Sequence, residues 1–453
     1  MTLRVSTPGR HTIVACALLL VAAGASTSSA GEPEPAVTPK QADDQPANPG
    51  DTGDFATLTW AELDPGRGFR VANTKLGDLW VSGYALVRYL NQMPAGQTYF
   101  DHLGRERPVL TRNDIEFHRA LLFFRGWLFL PKLEYNITVW TVNSADVLAV
   151  IGSVGYRFHR AFALSVAVDG MPGIRSLVGS HPYWLAPDRT MAEEFARPGF
   201  TNALVATGEP VSGLWYKASV GNNISQLNIT AAQLTRDYAY GLSVWWMPTT
   251  KEFGPRGAYG DWERHDRVAT RFGVSSVAAR EAHYTPLNEP PGSTQIRLAD
   301  GVPLFETGAL APGVTLSNAN YWVLSADVGI KYKGLFIEAE YNARWLWGFD
   351  ATGPLPVSKI LDHSFFVQVA FYPLPRRWEL YTATSWVFGD KAAGFWTNGE
   401  VIAGTNVYPA DTRNFRVNGH FIYVDRSAAG GTFGYYSAGQ KGPTFSLAAS
   451  VFF

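Results

Sequence analysis

The stretch YWVLSADVGIKYKGLFIEAEYNARW, Tyr321–Trp345, decides the fold. In its first half one set of alternate residues reads Trp322, Leu324, Ala326, Val328, Ile330 and Tyr332; the other reads Tyr321, Val323, Ser325, Asp327, Gly329 and Lys331. Side chains alternate across a strand with period two, so this is a strand with one apolar and one more polar face. Lys333-Gly334 makes a tight turn, and the pattern resumes: Leu335, Ile337, Ala339, Tyr341, Ala343 and Trp345 against Glu338, Glu340, Asn342 and Arg344. The result is a hairpin with aromatics near its ends, where an interfacial girdle would place them. A soluble sandwich also contains such hairpins. Here, however, the pattern recurs over nearly the whole chain, and about sixteen to eighteen strand-like segments can be marked. The expectation is an all-β fold, a transmembrane antiparallel β-barrel of about 16 strands, with 18 possible.

Working outward, Tyr238, Tyr240, Leu242, Val244 and Trp246 alternate with mostly smaller residues, and Phe365, Val367, Val369 and Phe371 alternate with Ser364, Gln368 and Ala370, with Phe366 breaking the polar face. Short connections are expected near Pro131, Lys333 and Pro375, and long ones over 169–203, 280–320 and 389–413. Short turns at one rim and long loops at the other follow the barrel rule. The last strand alternates Phe445, Leu447, Ala449, Val451 and Phe453 with Ser446, Ala448 and Ser450, and the chain ends on Phe453. Val451 and Phe453 resemble the C-terminal signature read by the barrel assembly machinery. No uninterrupted apolar run reaches the roughly 20 residues a membrane helix needs; Ala120–Leu130 is broken by Arg125 and Gly126.

The N-terminus reads as a secretory signal over 1–30: Arg4 and Arg10, an apolar core Ile13–Ala23, then Ser28-Ser29-Ala30. The single cysteine, Cys16, falls inside it, so the mature chain offers neither a disulfide nor a thiolate metal site. Residues 31–55 are rich in Pro and acids and read as a disordered periplasmic segment; 56–453 is then the barrel. The whole chain has 38 basic and 39 acidic residues. Setting aside Arg4, Arg10, Lys40 and the six acids of 31–55 leaves 35 basic and 33 acidic. A nearly neutral body gives no support for nucleic-acid binding, and any ion preference must come from where charges sit.

No Gly-x-Ser-x-Gly, His-Glu-x-x-His or glycine-rich phosphate loop occurs, and no cofactor or metal set is expected. His118, His159 and His181 read as pore or interface residues. Asp261-Trp262-Glu263 and Glu193-Glu194 read as solvated loop charges rather than a divalent-ion site. Arg112, Arg119, Arg125, Arg157, Arg160, Arg175, Arg189 and Arg197 all fall in the first half. A charge facing lipid at mid-depth costs about 2–4 kcal/mol, so most must face the lumen, a loop or the interface. They would then either attract anions or pair with nearby acids and hold loops. The candidates for lining the pore and selecting anions are Arg119, His118, Arg125, Arg175, Arg189, Lys331 and Arg344. The segment 169–203 is a candidate constriction loop; folded inward, it would set Arg175 or Arg189 beside Asp188 and Glu193.

Glu116-Phe117-His118-Arg119-Ala120-Leu121, then Gly126 and Tyr135, resembles the early double-arginine strand of the phosphate-selective porin O and P family. Asp188-Arg189-Thr190-Met191 to Phe195, then Gly208, Tyr216 and Gly221-Asn222, is similar to that family's third-loop region. The resemblance covers most of 79–453 in order and layout. It implies a sixteen-stranded barrel, usually a homotrimer, with an arginine-lined lumen. It departs at His118 and Leu121, where that family often has arginines, so only Arg119 carries over.

The functional expectation is an outer-membrane porin in the lipid of the cell outer membrane, a passive channel for small anionic or polar solutes, with phosphate selectivity implied by the resemblance. It is not expected to be an enzyme. The alternatives are a barrel lipase or protease, needing a Ser or Asp with a His at the rim, and an adhesion or structural barrel with a filled lumen.

Overall fold

The computed structural model describes residues 68–142, 147–179, 181–225, 229–292, 294–431 and 434–453. The signal-peptide and acidic-segment readings, 1–30 and 31–55, lie outside the described residues. Nineteen strands follow in order: β1 (Phe69–Thr74), β2 (Gly77–Gln92), β3 (Thr98–Phe100), β4 (Glu106–Pro108), β5 (Asn113–Leu128), β6 (Leu130–Val142) and β7 (Val147–His159). Then come β8 (Phe162–Gly170), β9 (Phe200–Val211), β10 (Leu214–Gly221), β11 (Ala239–Trp246), β12 (Ala269–Ala282) and β13 (Leu316–Tyr332). The chain finishes with β14 (Leu335–Ala351), β15 (Lys359–Leu374), β16 (Trp378–Phe388), β17 (Thr397–Val407), β18 (Phe415–Asp425) and β19 (Gly442–Phe452). A 3-10 turn, Arg175–Leu177, and a short α-helix, α1 (Met191–Ala196), lie between β8 and β9.

β2 and β5 to β19 pair antiparallel, each with the next, and β19 returns to β2 from Thr444↔Gln92 to Phe452↔Tyr84, closing a sixteen-strand ring. β3 and β4 form a separate hairpin above it. The decisive hairpin is β13–β14, in register from Tyr332↔Leu335 upward. Its apolar face (Trp322, Leu324, Val328, Ile330) is exposed on the outside of the ring; its polar face (Ser325, Asp327, Lys331, Glu338, Glu340, Arg344) is buried within. A closed ring leaves no unpaired edge, which is what allows strands to cross a hydrocarbon layer.

The C-terminus is built into the closure. Phe453 exchanges backbone hydrogen bonds with Gly83, and where β19 ends, β1 takes over the same edge of β2, from Phe69↔Val81 to Thr74↔Gly77. The Phe69 and Phe453 rings lie 5.5 Å apart at that seam.

Two expectations need correction. The segment 389–413 is not one long loop, since it contains β17. And not every long connection is on one rim: 247–268, between β11 and β12, leaves from the same rim as the Lys333-Gly334 turn, and the His265 carbonyl accepts from the Lys333 N–H at 2.9 Å. The connections 171–199 and 283–315 leave from the opposite, long-loop rim, as expected.

Candidate functional site: the occupied lumen

Sixteen strands enclose a lumen too wide for the wall's own side chains to fill. Here the chain fills it with the segment 171–199, which enters from the long-loop rim and crosses to the far end. Its Tyr183 ring comes within 6.2 Å of Phe452, and its Tyr183 carbonyl accepts from the Tyr259 N–H at 2.9 Å. We call 171–199 the strap.

A backbone buried in a barrel must find partners for its polar groups, and the inward-facing wall residues supply them. Asn406 donates to the Leu185 carbonyl at 2.9 Å, Arg416 to Trp184 at 2.5 Å, Arg344 to Phe195 at 3.1 Å, and the Tyr321 hydroxyl to Ala196 at 2.9 Å. Glu400 accepts from the Met191 N–H at 2.7 Å and Ser385 from Ala192 at 3.2 Å, satisfying the first turn of α1. Thr190 and Glu193 close a capping box on the same helix.

Ion pairs fix the strap at two points. Asp188 lies against Arg88 at 2.6 Å, His118 at 3.2 Å, and Arg119. Burial pushes its carboxyl up, but Arg119, His118 and Arg88 pull it further down, so it stays charged. On the opposite wall Arg175 pairs with Glu338, its backbone N–H donates to Glu340 at 2.9 Å, and its guanidinium lies 4.4 Å from the Tyr259 ring centre.

His118 and Arg119 both face inward although they are adjacent in sequence. The β2–β5 register jumps from Leu86↔Arg119 to Val87↔Phe117, leaving His118 as an extra residue. Such a bulge breaks the alternation and aims two neighbours the same way.

From the other rim, 247–268 reaches up to meet the strap. The Lys331 ammonium donates to the Phe253 carbonyl at 2.8 Å and lies 4.6 Å from that ring's centre. His265 sits between Asp261 and Glu252 at 2.5 and 2.7 Å; these hydrogen bonds outweigh burial and hold it up at about 9. Asp261, Glu263 and His265 are close enough to bracket a cation. With both His265 ring nitrogens occupied and Arg413 3.2 Å from Glu263, the group is already neutralised from within.

The long-loop rim is covered too. His102 meets Asp300 at 2.7 Å, Arg107 meets Glu306 at 2.7 Å, and Asn398 donates to the Ala299 carbonyl at 2.9 Å. The combined effect is that Lys217, Lys331 and Glu338 on the inner wall are 0% exposed.

The residues singled out from sequence are therefore placed as follows. Arg119 and His118 hold Asp188. Arg125 lies lower on β5, buried on the inner face. Lys331 and Arg344 are on the inner wall, Arg344 pairing with Asp362 at 2.7 Å. Arg189 is in the strap, 2.8 Å from the Ser176 hydroxyl and 3.5 Å from Glu194. Of the expected grouping of Arg175 or Arg189 with Asp188 and Glu193, the Arg189 form holds, since Asp188, Arg189 and Glu193 line one pocket; the Arg175 form is corrected, because that end of the strap faces β14 and Arg175 pairs with Glu338. Glu193 is likewise not solvated, being buried as the helix cap, while Glu194 stays partly exposed and binds Arg197 at 2.9 Å. Arg112, Arg157 and Arg160 pair with Asp114, Glu134 and Glu209. Val451 faces outward and Phe453 lies at the seam. Sequence reasoning missed Arg88, Arg416 and Glu400, which no local pattern distinguishes.

A closed sixteen-strand ring, apolar outside and charged inside, is an outer-membrane β-barrel. Its fold is similar to that of OmpT, an outer membrane protein of Vibrio cholerae, with a TM-score of 0.53 and 12% identity over 84% of this chain and 99% of that one. A trimer form of in-vitro folded OmpT gives 0.51 and 11% over 83% and 100%. An anion-selective porin from Comamonas acidovorans gives 0.48 and 11% over 83% and 100%. No family model and no curated protein sequence matches the chain. At these identities the likeness concerns the fold alone.

Proposed function

We propose that the protein is a diffusion channel for small polar and anionic solutes, seen with its passage closed by the strap. One observation carries this reading: the ring is wide enough for an aqueous channel, and what fills it is a connection between two strands rather than the wall. A connection held by hydrogen bonds and ion pairs can leave, whereas a wall cannot. The inner wall behind the strap and 247–268 carries Arg88, Arg119, Lys217, Arg271, Lys331 and Arg344, all buried. Buried charge contributes little to stability compared with apolar packing, so so many cations suit a surface that is wet in another state. Phosphate selectivity, through Arg119 and its neighbours, is the finer form of the proposal. A trimer in the outer membrane, reached through the assembly machinery, and the absence of catalysis belong to the same reading.

The filled lumen also favours a second reading, a structural or adhesive barrel whose strap never leaves. Single-channel recording in planar bilayers separates the two. The channel reading expects stepwise conductance that rises when the strap is loosened, an anion-side reversal potential in a salt gradient, and block by phosphate that Arg119→Ala relieves. If neither the native chain nor a variant with a shortened strap conducts, the structural reading holds.

A further inference from the structure

A cavity of about 230 Å³ lies toward the long-loop rim, beside the strap helix, lined by residues of 294–297, 429–431 and 434–436. Its lining includes Arg197, Arg297, Glu194, Thr294, Gly430 and Tyr436. The charges there do not balance. Glu194 is the one acid in the lining, and it is taken: Arg197 binds it at 2.9 Å and Arg189 approaches at 3.5 Å. The nearby Glu306 is held by Arg107 at 2.7 Å. Arg297 donates once, to the Gly301 carbonyl at 2.9 Å, and has no carboxylate within 4 Å among the described residues. Burial lowers its affinity for its proton, yet an arginine remains charged.

A half-buried guanidinium without a counter-ion, facing a cavity, is costly unless something fills the place of the missing carboxylate. The planar fork offers paired donors, which match the oxygens of a carboxylate or phosphate. Thr294 brings a hydroxyl donor to the same space; Tyr436 also lines it, but its proton goes to the Arg189 carbonyl at 3.4 Å, so it supplies shape rather than a donor. Gly430 adds no side chain to the lining.

We infer that this cavity is a docking site for one small soluble oxyanion, a phosphate or a carboxylate, held by Arg297 with Arg197 beside it. The inference rests on the channel reading for its purpose, as the place where a solute waits beside the closed strap, but not for its chemistry. The site shares no residue with the Asp188 cluster or with Arg119.

Isothermal titration of the full-length, detergent-solubilised chain with inorganic phosphate, and separately with succinate, tests it. The expected result is one saturable site per chain for at least one of the two anions, weakened tenfold or more by Arg297→Gln and unchanged by Lys75→Gln at the opposite rim. If Arg297→Gln does not fold, Arg197→Gln is measured instead, with a smaller loss expected. No saturable binding, or binding that both arginine variants leave intact, overturns the inference. Binding by a chain that never conducts would defeat the channel reading and keep the site; conduction without Arg297-dependent binding would do the reverse.

Discussion

Replacing Asp188 by Asn should open the barrel. Asp188 bridges the strap to Arg88 and Arg119 on the wall, all three nearly inaccessible to water. The amide keeps the shape and loses the charge. Arg88 retains Glu116 at 2.6 Å, but Arg119 has no second carboxylate partner among the described residues. The cost therefore falls mainly on one orphaned buried guanidinium, about 3–5 kcal/mol. That cost disappears when the strap withdraws and water reaches Arg119, so it acts on the seated state alone. Since about 1.4 kcal/mol is a tenfold change, the ratio of withdrawn to seated strap should rise by roughly two to three and a half powers of ten. Open probability in a planar bilayer reads this directly, and liposome swelling with a small sugar reads it in bulk. If Asp188→Asn folds and conducts no more often than the native chain, the strap is not held by this cluster and the gating argument fails.

Acid should loosen the same seat. His181 is buried in the strap, with its proton affinity depressed first by burial and then by Arg119, Arg189 and Arg416, Asp188 opposing. A depressed histidine contributes stability that is lost as pH falls through its exposed value of about 6.5, so open probability should climb below that pH and His181→Phe should blunt the climb. His265 works with the opposite sign: raised to about 9, it anchors 247–268 below that pH and releases it above, so protease nicking of this connection should appear only in alkali. Gly126→Ala should weaken the β2–β5 seam, because an added Cβ would lie 1.9 Å from the Asp78 carbonyl oxygen with the Tyr135 hydroxyl 3.2 Å away; a cost of about 1–3 kcal/mol should lower the heat-unfolding midpoint seen by gel mobility. Deleting Phe453 should reduce the yield of assembled barrel while leaving the circular dichroism of the assembled fraction unchanged.

The wall was legible because each strand carries its own period-two record. Tyr321–Trp345 displays both faces, both aromatic ends and the turn within one stretch. β17 was hidden because its Gly399, Ala403 and Gly404 give almost no contrast between faces. The bulge at His118 was hidden because a register jump depends on the partner strand, not on the local sequence. The inward fold of 171–199 was readable from its length, but its partners were not: Asp188 meets Arg88 across a hundred residues of chain and Arg175 meets Glu338 across more, and nothing local encodes such distances. The inward reach of 247–268 ran against the rule that one rim has short turns, and only its aromatic and acidic content hinted otherwise.

The strap also changes what it takes to make this molecule. It touches β2, β5, β14, β16, β17 and β18, strands of one half of the ring that lie on both sides of the β19–β2 join. The last join, β19 to β2, links the two ends of the chain, and contacts so distant in sequence form late because their loop entropy is lost before they return any stabilisation. A segment that bonds to both sides of that join beforehand shortens those loops. The strap is thus a mandrel as well as a stopper: the sheet can curl around a piece of its own middle. A variant built only to keep the pore open would be expected to lose part of its means of becoming round.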